Sequence, residues 1–326
     1  MSDAWDVSVV VSTLDRCDIL RHCLDTVLAQ NPGPIRFEVI VVDNGSTDRT
    51  PAVLESYQRS HPNFRHLFEP RRGVSYGRNC GIAAARAPVI AFTDDDLMVS
   101  PDWVAAIRHS LDVHPEVDYV GGKVLPRPGQ ELPDWLTREH WNPITLRDPG
   151  EAPFYLNSAN PICMGSGNLA MRADTLRQFQ GFSGAFPRGQ DRELQLRLWR
   201  AARQGMYDPA LVVFANVQPE RLTRAYHRQW YEIDGDLSAA IHDEEVERSR
   251  ARLFDVPAHL YRQALADVLS YCSLRLRGRR DQAFFKELEL RYFRAFYRRR
   301  RRDFLAAGQT GSLASLAGFI KALLAR

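Results

Sequence analysis

Pro88-Val89-Ile90-Ala91-Phe92-Thr93-Asp94-Asp95-Asp96 runs from an apolar stretch straight into three carboxylates. A short apolar run bounded by polar residues reads as a buried strand. Three like charges in sequence repel one another, and a divalent cation held among them keeps them ionised together. In open α/β sheets, ligands bind at the carboxyl ends of the strands. These nine residues therefore predict a strand over Pro88 to Thr93 in a mostly parallel sheet, ending in an acidic edge. The plainer alternative is an exposed acidic turn before a helix that begins near Pro101.

Outward from this stretch the same alternation repeats. Val7 to Ser12, Phe37 to Asp43, Phe64 to Phe68 and Val117 to Val124 read as further strands. Ile19, Leu20, Cys23, Leu24, Val27 and Leu28 recur at helical spacing, and Thr47 to Tyr57, Val74 to Ala85 and Trp103 to Val113 read as helices between the strands. Pro126 to Pro161 lacks a period and reads as a long loop. Ile162 to Met171 and Leu211 to Val217 read as strands and Asp191 to Ala202 as a helix. Beyond about Arg221 the pattern is helical, which predicts an α/β domain over residues 1–220 and a helical, basic extension over 221–326.

A second acidic edge strengthens the first. The continuously apolar Val39 to Val42 ends in Asp43-Asn44-Gly45-Ser46-Thr47-Asp48, where Asn-Gly supports a tight reversal and Ser46 or Thr47 can cap the next helix. Turn chemistry explains the glycine and the cap; it does not explain two acidic edges in one sheet.

The chain has 326 residues, 44% hydrophobic and 25% charged, with a formal net charge of +3. That is the balance of a globular protein, and the charge is too small to imply a polyanionic partner by itself. The five cysteines are scattered and never form a Cys-x-x-Cys pair, which argues against a disulfide framework or a zinc site. Asp3 and Asp6 precede only a short apolar run, unlike a secretory leader, and no stretch is long enough to cross a bilayer. A cytoplasmic location is the expectation.

Together, Val7-Ser8-Val9-Val10-Val11-Ser12-Thr13, Glu38 to Asp48, Gly73-Val74-Ser75-Tyr76-Gly77-Arg78-Asn79-Cys80-Gly81 and Asp94-Asp95-Asp96 resemble, in order, the motifs of family 2 glycosyltransferases of the GT-A fold. The resemblance spans about the first two thirds of the chain. It implies a nucleoside-diphosphate sugar donor, with UDP the family tendency, a carbohydrate, lipid-linked or other hydroxyl acceptor, and inversion at the anomeric carbon. It further implies donor contacts at Ser12, Thr13, Asp15, Asp43, Arg78, Asp94 and Asp95, with Asp43 accepting from a nucleobase imide. Asp96 matches a ligand of Mn2+ or Mg2+. Oxygen donors suit such hard cations, and without a glycine-rich phosphate loop a metal is the means of gripping a diphosphate.

Gly189-Gln190-Asp191-Arg192-Glu193 resembles the family's acidic pair at a helix start, with Gln190 in place of the usual glutamate. Asp191 is the matching catalytic base; the alternative is that it only caps the helix. Gly167 and Asn168 can approach the sugar or acceptor, with a β-bulge as the other reading. Trp135 and Trp141 can stack on a sugar ring or fold onto a core. His227 lies where some relatives put a metal-side residue, although a lone histidine is more often a partner of the fold.

In the extension, Phe285, Leu288, Tyr292 and Phe296 recur at helical spacing beside the run Arg298 to Arg302. The stripe can dock on the catalytic domain or on a second copy in a homodimer, while the arginines can touch an anionic membrane surface. No nucleic-acid recognition motif accompanies the charge. A nucleotidyltransferase would need a glycine-rich triphosphate loop that Ser12-Thr13-Leu14-Asp15 does not offer. A silent scaffold would not require Asp43, Arg78, Asp94, Asp96 and Asp191 together.

Overall fold

The computed structural model describes residues 4–186, 188–241, 251–308 and 319. Asp3 and most of the segment after residue 308 lie outside that set. The chain divides into two compact units, Met1–Glu131 with Thr145–Val217 and Leu132–Ile144 with Gln218–Arg326.

The first unit is built on β1 (Val7–Thr13), β2 (Phe37–Asp43), β3 (Phe64–Phe68), β4 (Val89–Phe92), β5 (Leu97–Val99), β6 (Tyr119–Pro126), β7 (Phe154–Leu156), β8 (Leu169–Arg172) and β9 (Gly205–Ala215). Among the described residues they form one sheet in the order β3-β2-β1-β4-β8-β6-β9-β5, with β7 also on β9. Pairing directions make β1, β2, β3, β4, β6 and β9 point one way, with β5, β7 and β8 opposed. Around the sheet lie α1 (Cys17–Leu28), α2 (Thr50–Ser60), α3 (Val74–Ala84), α4 (Trp103–Val113), α5 (Ala173–Gln178) and α6 (Gln190–Arg200).

The apolar runs explain the core. Every residue of β2 and β4 is buried, as a strand covered on both faces requires. Val10, Ile40, Ile90 and Phe92 join Leu194 and Leu198 of α6 in one cluster. Burying each such side chain is worth about 1.5–3 kcal/mol. Glu38, buried in β2, is held by the Ser8 hydroxyl at 2.7 Å, the Arg86 amide at 2.8 Å and Arg65 at 3.0 Å. Those partners offset the cost of removing its charge from water.

Residues 162–171 differ from a continuous strand. Only Leu169 onward pairs in the sheet, preceded by a 3-10 turn, Ser166–Asn168. Glycines at 165 and 167 weaken the extended state there, and Gln195 of α6 binds the backbone of Met164 in both directions, at 2.8 and 2.7 Å. The stretch read as a loop from Pro126 to Pro161 contains β7, and β5 follows directly on the three carboxylates.

The second unit packs α7 (Arg224–Ile241), α8 (Ala258–Leu276) and α9 (Arg280–Ala306), with a small hairpin of β10 (Arg252–Leu253) and β11 (Val256–Pro257). Ala239, Val256 and Phe296 form its core with Tyr261, Tyr292 and Phe293 against them. Ion pairs close around that core: Arg228–Glu287 at 2.7 Å, Arg291–Glu232 at 2.7 Å and Arg294–Glu232 at 2.8 Å. In the arginine run, Arg299 reaches Asp236 and Asp303, the buried Arg300 reaches Asp255 at 2.7 Å, and Arg302 reaches Asp303. Much of the charge expected to face a membrane is thus neutralised within the unit.

Candidate active site

The carboxyl ends of β1, β2 and β4 form one polar edge. Thr13 pairs in register with Asp43, and its hydroxyl donates to Asp95 Oδ2 at 2.7 Å. Beyond β4 the chain turns at Asp95 and Asp96, closed by the Leu97 amide on Asp94 O at 3.2 Å, and this turn buries Asp95 while Asp94 and Asp96 keep about 41% and 30% of their side chains exposed. Burial raises the Asp95 carboxyl to about 6, an effect opposed by Arg16 and the Thr13 hydroxyl. Arg16 Nη1 pairs with Asp95 at 2.8 Å and Asp96 at 3.2 Å.

Asp94 is gripped from the other side by Arg78, Nη2 to Oδ1 at 2.7 Å. Arg78 sits on α3, whose Gly77 allows the helix to close on β1; a Cβ there would lie 2.2 Å from Ser12 Oγ. The Arg78 side chain is buried, its guanidinium is 5.4 Å from the Phe182 ring centroid, and its Nη1 has no hydrogen-bond partner among the described residues. A buried unsatisfied donor is costly and marks a place where a ligand oxygen would be welcome. Thr93 Oγ1, also buried, is in the same position.

The loop after β2 is ordered by its own polar groups. Asp43 Oδ1 accepts from the Ser46 amide at 2.8 Å. Asn44 spans to Glu69 O, Arg71 O and the Gly73 amide. Asp15 (φ 51°) accepts from the Thr47 amide and hydroxyl and the Asp48 amide, which lowers its pKa, and its own amide donates to Ser46 Oγ. Asp15 therefore ties the ends of β1 and β2 together.

Asp191 stands in the first turn of α6. Its Oδ2 accepts from the Ser166 amide at 3.2 Å and its Oδ1 from the Arg192 amide at 2.8 Å. Gly167, in the same turn as Ser166, lies against Asp94: a Cβ would sit 2.9 Å from Asp94 Oδ2 and 2.6 Å from Leu97 Cδ1. The three-residue turn thus touches the acidic edge with one residue and Asp191 with the preceding one.

Asn168, expected near the sugar or acceptor, is a buried strut instead. Its Oδ1 accepts from Trp103 Nε1 at 2.8 Å, and its Nδ2 donates to Lys123 O and Leu211 O. Trp135, Trp141 and His227 belong to the second unit. Trp135 packs edge-on against His227 at 5.0 Å and Phe284 at 5.4 Å, and Trp141 is buried with Arg138 over its ring. His227 is fully buried, and burial lowers its pKa to about 4.

Arg16 and Gln195 organise this site without a sequence signal that singles them out. Arg16 is distinguished only by following β1 at the sheet edge, and Gln195 lies on the helix that Asp191 opens. Among the described residues, no three His, Cys, Asp or Glu side chains converge as a ready metal cage. Asp94 and Asp96, partly exposed and paired with Arg78 and Arg16, are the edge's oxygen donors of the type a hard cation takes.

The family model described as glycosyl transferase family 2 matches residues 8–176. A glucosyl-dolichyl phosphate glucuronosyltransferase of Haloferax volcanii is 30% identical over 135 residues, 41% of this chain and 40% of that protein. The chain's match spans about two fifths of the length of such curated relatives. Among solved structures, mannosyltransferase PcManGT from Pyrobaculum calidifontis, in complex with GDP-Man and Mn2+, aligns with a TM-score of 0.56 at 18% identity, covering 98% of this chain and 80% of that one. S. aureus TarS 1-349 in complex with UDP aligns with a TM-score of 0.53 at 16% identity, covering 94% and 93%. These likenesses establish a GT-A fold.

Proposed function

The chain belongs to glycosyl transferase family 2, and from that premise we propose that it is an inverting, metal-dependent enzyme. In our reading it moves a sugar from a nucleoside diphosphate, UDP first, to an acceptor hydroxyl in polysaccharide or other glycoconjugate synthesis. The observation that carries the proposal is the shared turn. Ser166 meets Asp191 while Gly167 lies against Asp94, so a donor at the acidic edge and a proton acceptor flank the same three residues. The UDP of the TarS complex and the GDP-Man and Mn2+ of the PcManGT complex support a nucleotide sugar and a divalent cation.

Asp43 accepts from the imide N–H of the base. Arg78 offers its unpartnered Nη1 to the donor while holding Asp94 toward ribose and sugar. Asp96, with Asp94, is the oxygen set that would hold Mn2+ or Mg2+. When bound, the cation would stabilise charge building on the departing diphosphate as a Lewis acid. Arg16 counters Asp95 and Asp96 within the chain itself.

The acceptor oxygen attacks the anomeric carbon opposite the diphosphate, and Asp191 takes the hydroxyl proton. The Ser166 and Arg192 amides hold its two carboxylate oxygens in place. The alcohol becomes strongly acidic as the new C–O bond forms, so a well-placed carboxylate suffices. His227, buried among aromatic rings, is not among the ligands we propose.

A thermal-shift panel of UDP- and GDP-sugars, each with and without Mn2+, tests the reading. A ligand at about 100 times its Kd adds about 2.7 kcal/mol of stability, so at least one donor should raise Tm clearly, and only with the metal. No shift and no donor hydrolysis across the panel would reject it.

A further inference from the structure

In the 298–302 run Arg298 and Arg301 have no ion-pair partner among the described residues, Arg301 lying over the Phe254 ring, and a second, larger group of unpaired arginines stands elsewhere. Arg275, Arg277, Arg279 and Arg280 fall within six residues at the turn joining α8 to α9, and all four are exposed. Among the described residues none of them has an ion-pair partner; Arg279 reaches only the Gln282 amide oxygen, at 3.4 Å. The neighbouring Asp281 is already paired with Arg224.

Apolar side chains sit at the same end. Leu276, in the midst of the arginines, is 89% exposed, and Leu265, Val268 and Leu269 are 60%, 42% and 65% exposed. With the exposed Cys272 they recur at positions 265, 268, 269, 272 and 276, one continuous face of α8. The opposite side of the helix holds the buried Ala264 and Asp267, the latter paired with Lys286 of α9 at 2.7 Å. This face is therefore not what fastens α8 to α9.

We infer that the α8–α9 turn is a docking surface for an anionic lipid bilayer, with the arginines on headgroups and Leu276 and Leu269 in the acyl boundary. Charge complementarity selects this occupant. A second copy meeting the same surface would set two unpaired arginine clusters against each other. A nucleic acid would match the charge but would find no exposed aromatic ring among the described residues of this surface to stack on, and it would leave the leucines in water. A bilayer interface satisfies both sets of side chains at once. The inference is independent of the sugar-transfer reading.

Sedimentation of the full chain with vesicles tests it, comparing phosphatidylcholine alone with a mixture containing about 30% phosphatidylglycerol. Binding to the anionic vesicles and little to the neutral ones is expected. The combined Arg275→Gln, Arg277→Gln, Arg279→Gln, Arg280→Gln variant should bind at least about a hundredfold more weakly. Leu276→Gln should weaken vesicle binding about tenfold while leaving binding to inorganic polyphosphate unchanged. Arg298→Gln with Arg301→Gln should bind as the parent does. All these positions are exposed, and circular dichroism checks that the variants fold. A parent that ignores anionic vesicles, or a fourfold variant that sediments with them as the parent does, overturns the inference. Leu276→Gln without effect on vesicles overturns it in favour of general polyanion binding. Self-association that Leu276→Gln abolishes, with no vesicle binding, overturns it in favour of a second copy.

Discussion

The two units place their ion pairs differently. In the helical unit, Arg300 finds Asp255, Arg228 finds Glu287, and Arg291 and Arg294 share Glu232, and these pairs pack the helices together. At the sheet edge of the other unit, Asp94 pairs with Arg78 and Asp96 with Arg16, yet both carboxylates stay partly exposed and Arg78 Nη1 is buried without a hydrogen-bond partner. A buried donor left over beside exposed carboxylates costs stability where a ligand oxygen would complete the set.

The sharpest way to break this comparison is Asp191→Asn. It keeps the shape of the turn and removes the proton acceptor, and transfer should fall by about 10²–10⁴ while donor affinity, read by calorimetry, stays within about twofold. Parent-like turnover would leave Asp191 as a helix cap only.

His227 sharpens the other side, because the helical unit's closed interior should carry a pH cost. Its pKa in the folded chain is about 4, below the ordinary 6.5, because burial disfavours the charged ring. The folded state therefore resists protonation that the unfolded state accepts. Stability is full above pH 6.5 and declines as pH falls toward 4, by about 3 kcal/mol in all. Urea titrations between pH 7 and 4 should show that decline, and His227→Gln should flatten it. An unchanged slope in the variant would assign the acid sensitivity to other groups.

Gly167→Ala is the mildest change and tests the shared turn. The added methyl must push Asp94 or Leu97 aside, at a stability cost of about 1–3 kcal/mol. Turnover should fall about tenfold or more, since a displacement of about 1 Å at the reacting groups can cost more than that. Normal activity in a destabilised Gly167→Ala would mean that Asp94 and the turn are not functionally coupled.

How much of this was legible depended on the range of the interactions. β2 and β3 form over the residues their sequence patterns predict, and α4 does likewise with its buried Trp103, Val104, Ile107 and Leu111, because these patterns are local. β5, three residues long, is too short to announce itself after three carboxylates. The break before β8 depends on Gln195, whose partner Met164 lies 31 residues away. In the site, residue types were readable and partners were not: Arg16 meets Asp95 across 79 residues, and Gly167 meets Asp94 through space. The arginine run read as free charge for the same reason, since Asp255 and Asp236 lie 45 and 63 residues distant. Trp135 and His227 become packing partners only once the segment Leu132–Ile144 joins the helical unit.

The most direct measurement is a calorimetric titration of the nucleotide sugar that gives the largest thermal shift, with and without Mn2+, into the parent chain and into Asp96→Ala. The account predicts donor binding to the parent that requires the cation, and an affinity at least about a hundredfold lower in Asp96→Ala without loss of fold. Equal binding by the two proteins, or binding indifferent to the cation, would contradict the claim that these carboxylates hold a metal against a diphosphate.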